Sequence, residues 1–161
     1  MARKRYLESD FFEGYTLIGI VCSLPDFRVS FFINRHLHLA LKKYAPFSLN
    51  PEEKPVFSWY HHAEEALRRD FFLIQNKNNT TLLLPSLTKF DYILLVYGNI
   101  PDSFPEKILS ALRATPYISA AFEQELSQLK NSDLLIERNE QHATEQLNKY
   151  VIFQQKKSLL D

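Results

Sequence analysis

The chain has 161 residues, 45% of them hydrophobic and 14% aromatic, which is enough for one domain with a core of its own. Nineteen basic side chains balance nineteen acidic ones, so the basic excess of a domain built mainly to hold nucleic acid or an anionic membrane is missing. The longest apolar runs, residues 15–22 and 92–97, fall far short of the roughly 20 residues that cross a bilayer, and no membrane association is expected.

Residues 15–22 predict a strand. They are rich in β-branched side chains and apolar at both parities, so both faces of the strand are expected to be covered. Ser23-Leu-Pro-Asp26 follows with capping-box spacing and predicts a helix from about Leu24. Two periodicities then compete. Val29, Ile33, Leu37, Ala40 and Tyr44 share one helical face, while Val29, Phe31, Ile33, Leu37, Leu39 and Leu41 alternate as a strand would. The capping box, with Asn34 and Arg35, favours helix through about Leu37 and a short extended piece at residues 39–43. Pro46, Pro51 and Pro55 mark a loop.

Residues 56–62 and 70–76 read as two strands of a hairpin joined by a charged link. A polar turn at 77–81 leads to a short strand at 82–84, ended by Pro85. Residues 90–97 predict a second central strand. Ser103-Phe-Pro-Glu106 repeats the Ser-x-Pro-acid pattern and opens a second helix, with Ile108, Leu109 and Leu112 on one face, stopped by Thr115-Pro116. Residues 117–122 form the last predicted strand, and the core is expected to end near Ile136. The expected fold is α+β: a mostly antiparallel sheet of five to six strands with two main helices on one face. Its two strand–helix repeats suggest a ferredoxin-like (split βαβ) plan with added strands. Residues 1–136 make one domain, and residues 137–161 a polar tail, either a frayed helix or disordered.

Only three glycines occur, at Gly14, Gly19 and Gly98, so a Gly-rich phosphate cradle is not expected, nor is any other cofactor. Met1-Ala-Arg-Lys-Arg5 is basic but no apolar stretch follows, which does not read as a secretory signal. Cys22 is the single cysteine, and a cytoplasmic protein is the natural reading. Cys22 precedes a helix start but has no base beside it, so a small buried hydrophobe is expected. His36 and His38 diverge on a helix, and the adjacent His61 and His62 point to opposite faces of a strand. A zinc site needs three or four converging ligands, and no metal is expected. Asp91, between Phe90 and Tyr92, opens a buried strand. A carboxylate there can serve as a base together with His61 or His62, or can cap a turn.

Arg28, Arg35 and Lys42 recur every seven residues along the first helix, beside Phe27, Phe31 and His38. Such a face can stack on bases and pair phosphates, form a protein interface, or be covered by the chain's own tail. Phe57 and Trp59 share a strand face with His61, and the sheet has more apolar surface than two helices cover. Self-association or the tail would cover it.

Residues 15–20, Asp26-Phe-Arg28, Ile33-Asn-Arg35, residues 71–77, Leu84-Pro85-Ser86 and Phe90-Asp91-Tyr92 resemble the IPExxVDY family of small bacterial proteins, over roughly residues 12–135. Pro85, Asp91 and Tyr92 match its signature. Ser86 stands in place of Glu and Phe90 in place of Val, with one extra residue between Pro85 and Asp91. The resemblance implies a bacterial cytoplasmic protein and assigns no activity.

The functional expectation is a non-enzymatic binding or interaction protein, a homodimer or the partner of another protein, using Phe31, Arg28, Arg35, Phe57 and Trp59. Nucleic-acid binding through the same helix with an Arg3–Arg5 arm, and an enzyme built on Asp91 and a histidine, are the alternatives.

Overall fold

A computed structural model describes residues 11–147. Tyr15–Val21 (β1) leads to a helix at Asp26–Leu37 (α1) and a two-residue strand at Lys42–Lys43 (β2). Trp59–Glu64 (β3), Arg69–Gln75 (β4) and Tyr92–Gly98 (β5) follow, then the helix Phe104–Arg113 (α2), the strand Ala120–Gln124 (β6) and the helix Ser132–Leu147 (α3). The six strands form one antiparallel sheet in the order β2-β3-β4-β5-β1-β6. The chain is thus of the expected α+β class.

The three strands that are apolar at both parities, β1, β4 and β5, lie inside the sheet and are buried on both faces. Their alternate side chains feed two cores. Ile18, Leu73, Leu94 and Val96 meet Val29 and Ile33 of α1 and Ile108 and Leu112 of α2. On the opposite face Leu17, Trp59, Phe72 and Ile93 meet Leu135, Ile136 and Ala143 of α3. Phe47, Phe57, Leu84 and Phe90 from the connecting loops complete that layer. Two helices therefore cover one face, as expected, and a third covers the other. The core does not end near Ile136, because Asn139, His142 and Ala143 are also buried on α3. The remainder of the expected tail, residues 148–161, lies outside the described residues.

The ends of α1 differ from the capping-box expectation. Pro25, in an extended conformation, occupies the N-cap, and among the described residues no side chain caps the helix. Asp26 starts the first turn, where a carboxylate favours the helix dipole. It also accepts from Tyr60 Oη at 3.0 Å and pairs with Lys43 Nζ at 2.8 Å. The helix stops at Leu37 because His38 is left-handed, with φ at 56°, and the Leu39 N–H turns back to Asn34 O. Asn34 then binds both backbone groups of Leu41, donating to its carbonyl at 3.2 Å and accepting its N–H at 2.8 Å. This settles the competing periodicities in favour of helix.

Other boundaries shift by a few residues. The expected piece at 39–43 is a strand only at Lys42–Lys43, and the first hairpin strand begins at Trp59. The expected strand at 82–84 reduces to one bridge between Lys77 and Leu82. The last strand starts at Ala120, because Tyr117 is left-handed at φ 70°. At Gly19 an added Cβ would sit 2.5 Å from the Phe90 ring, so only glycine lets that ring lie flat on β1.

Candidate functional site

On α1 the stripe Val29, Ser30 and Ile33 is buried, which turns Phe27, Arg28, Phe31 and Arg35 to solvent. Phe27 is 66% exposed and Phe31 54%, high values for phenylalanine. The Phe31 ring meets Phe32 edge-on at 5.3 Å, and Phe32 packs on Tyr117 at 5.0 Å. The Arg28 guanidinium lies 5.6 Å from the centre of the Tyr117 ring. Tyr117, itself mostly exposed, was expected in a strand and instead joins this patch. Its left-handed backbone is uncommon for a bulky side chain.

The remaining interaction candidates separate from the patch. Lys42 is not part of a helical stripe, since α1 ends before it. It lies on β2, with its ammonium 5.7 Å from the Tyr44 ring centre. Phe57 and Trp59, expected at an interface, are core residues at 6% and 0% exposure. Trp59 Nε1 donates to Asn139 Oδ1 at 2.8 Å, and its ring meets His142 edge-on at 4.8 Å. The chain's own third helix satisfies the surface that suggested a partner.

The catalytic candidates do not converge. His61 pairs in register with Phe72, and Phe72 with Leu95, four residues beyond Asp91. His61 faces the α3 side, with Nε2 2.9 Å from Asp70 Oδ1, and both residues are buried. His62 faces the other side and accepts the Ala40 N–H at Nδ1, 3.3 Å away. Burial holds the His62 pKa below its usual value. Asp70 was read only as the start of a strand. Its burial carries no local signal, because the residues that cover it come from elsewhere in the chain.

Asp91 joins three segments. Its N–H donates to Ile20 O, its carbonyl accepts from Asn76 and Lys77, and its Oδ2 accepts the Cys22 N–H at 2.9 Å. Its Oδ1 lies 4.0 Å from Lys77 Nζ. Asn76, fully buried, donates to Leu87 O and Phe90 O and accepts from Leu84 N–H, which ties down the loop before Asp91. Between the segment at residues 22–25 and the turn at residues 77–79 is a cleft of about 420 Å³, with Asp91, Tyr92 and Lys77 in its wall. Cys22 lines it too, but burial raises its thiol pKa, which disfavours the nucleophilic thiolate. Among the described residues no group of three or more His, Cys, Asp and Glu side chains could hold a metal ion.

On α3, His142 is expected to make stability depend on pH. Its Nε2 lies 2.9 Å from Ala45 O, and burial lowers its pKa from the usual 6.5. The folded state therefore favours the neutral ring. The associated stability is present above about pH 6.5, the unfolded value, and is lost as pH falls through the lower folded value. His62 acts with the same sign. The urea midpoint is expected to drop between neutral pH and about pH 5, and His142→Gln to flatten that drop. An unchanged slope in the variant would remove His142 as its source.

No family model, curated protein or solved structure matches the chain, so the geometry alone carries the functional reading.

Proposed function

We propose that this protein is a non-enzymatic interaction module that pairs with a second copy of itself through the outer stripe of α1. The observation that carries this reading is the exposed aromatic patch of Phe27, Phe31 and Tyr117; among the other described aromatic residues only Phe11 and Phe122 are also exposed. The strand edges offer a poor alternative. β2 is two lysines long, a length and charge that discourage pairing. On β6, at the other edge, Arg113 donates twice to Ala121 O, at 2.7 and 3.0 Å.

The α1 stripe is self-complementary. Phe27, Phe31 and Arg35 follow one another at four-residue spacing and so lie along one side of the helix. A two-fold axis through Phe31 stacks that ring on its copy. It also sets Phe27 against Arg35 of the second copy, a cation–π contact worth about 1 kcal/mol at each end.

Nucleic-acid binding has less support, because Lys42 leaves the stripe and Arg28 packs on Tyr117. Its Arg3–Arg5 arm lies outside the described residues. The enzyme reading loses its basis with the separation of Asp91 from His61 and His62. A bacterial cytoplasmic protein akin to the IPExxVDY family stays part of the proposal, resting on Pro85, Asp91 and Tyr92 and on the single buried Cys22.

Native mass spectrometry and light scattering are the test. A dimer is expected for the natural chain, a monomer for Phe31→Glu, and at least about tenfold weaker pairing for Arg35→Glu. A natural chain still monomeric at about 100 µM would overturn the proposal. So would a dimer that ignores both substitutions.

A further inference from the structure

The cleft beside Asp91 uses different residues from the α1 stripe. One cation and one anion lie side by side in its wall, on residues joined by the Lys77 N–H and the Asp91 carbonyl, at a separation that bonds neither well. Lys77 Nζ and Asp91 Oδ1 are 4.0 Å apart, with side chains 39% and 27% exposed. A charge-assisted N–H···O bond is about 2.7–2.9 Å long, so the pair is loose and each partner keeps bonding capacity.

The walls are held in place before any ligand arrives. The Cys22 N–H fixes Asp91 through Oδ2, which leaves Oδ1 on the Lys77 side. Tyr92 Oη donates to Leu24 O at 2.6 Å and anchors the segment that enters α1. Across the cleft, Asn78 Oδ1 accepts the N–H groups of Thr80 and Thr81 and rigidifies the turn that carries Lys77. Binding here would cost little ordering entropy.

We propose that this cleft binds a small polar zwitterion of the α-amino-acid class, with the ligand carboxylate on Lys77 and its ammonium on Asp91. Such a ligand replaces one loose ion pair by two short ones and leaves no charge alone. A singly charged ligand satisfies one partner at the expense of the other. A phosphate meets one cation beside a carboxylate, and a divalent metal meets the Lys77 ammonium with Asp91 as its single anchoring carboxylate. The cleft, about 420 Å³, lies in the range of small-molecule sites and leaves room for a polar side chain near Asn78 and Asn79.

The test is a titration of the full chain followed by amide chemical shifts, with L-glutamine first and then a panel of common L-amino acids as probes. Acetate and methylammonium serve as single-charge controls. Saturable shifts at Cys22, Asn78 and Asn79 are expected with at least one amino acid and with neither control. Lys77→Met, a substitution at a partly exposed side chain, is expected to weaken binding at least tenfold. Asp91→Asn keeps an acceptor for the Cys22 N–H, removes the charge and is expected to do the same. No saturable shift with any amino acid up to about 10 mM would overturn the proposal. So would equal binding of acetate, or unchanged affinity in Lys77→Met.

Discussion

Trp59→Ala is expected to remove about 5 kcal/mol of stability, close to the whole of a marginal domain's total. Trp59 is fully buried, and truncating a buried aromatic to alanine costs about 3–5 kcal/mol through lost contacts and the cavity left behind. A second loss is polar. The indole N–H is the donor to Asn139 Oδ1, and a buried acceptor that loses its donor costs about 1–3 kcal/mol. Asn139 is poorly placed to compensate, since its Nδ2 already has no hydrogen-bond partner among the described residues. Trp59→Phe keeps most of the volume and isolates the polar part, and adding Asn139→Leu to it is expected to recover some of the loss. Urea denaturation measures each step. A loss below about 2 kcal/mol for Trp59→Ala would mean that α3 does not seal this face of the sheet. The same experiment separates core from interface, because an interface tryptophan would change the mass of the assembly and leave the monomer's stability nearly intact.

Asp70→Ala is expected to cost about 3 kcal/mol, and the loss should shrink to within about 1 kcal/mol when His61→Leu is added. Asp70 is fully buried, and its Oδ1 lies 2.9 Å from His61 Nε2. Its Oδ2 has no hydrogen-bond partner among the described residues. Removing the carboxylate alone takes that partner away from a buried imidazole nitrogen. Replacing both residues by apolar ones removes the desolvation cost on both sides, and such exchanges are often neutral or stabilising. Equal losses in the single and the double variant would show that the two side chains do not act as a pair. The Asp70–His61 contact is thus a structural device in the core, distant from Asp91 in the sheet register.

The elements legible in the sequence share a physical trait: their signal is local. β1, β4 and β5 carry apolar side chains at both parities because both faces are covered, and burial leaves that mark on the strand itself. The end of α2 before Thr115-Pro116 follows from a proline that restricts the residue before it, and the capping-box spacing with Asn34 and Arg35 favours α1 through about Leu37. The exposure of Phe27, Phe31, Arg28 and Arg35 followed from helical spacing once the buried face was identified.

What local pattern reports is that a face is buried, and it is silent about what buries it. Phe57 and Trp59 pointed to a covering layer, but the layer is α3, and the Trp59–Asn139 bond joins residues 80 positions apart. Tyr15 Oη donates to Glu140 Oε1 at 2.6 Å across 125 positions. The inward stripe of α3 is Ser132, Leu135, Ile136, Asn139, His142 and Ala143, at helical spacing but half polar. Hydrophobicity therefore reads it as a tail. Its polar members are tolerated inside because partners meet them: Ser132 Oγ donates to Leu126 O, Trp59 donates to Asn139, and His142 Nε2 contacts Ala45 O. The cleft likewise exists only where β1, the turn after β4 and the start of β5 meet. Short-range spacing encodes the central strands, the first two helices and the α+β class. Long-range packing is what closes the second sheet face with α3, pairs His61 with Asp70 and sets Lys77 beside Asp91. Each of those depends on contacts between segments that no local pattern relates.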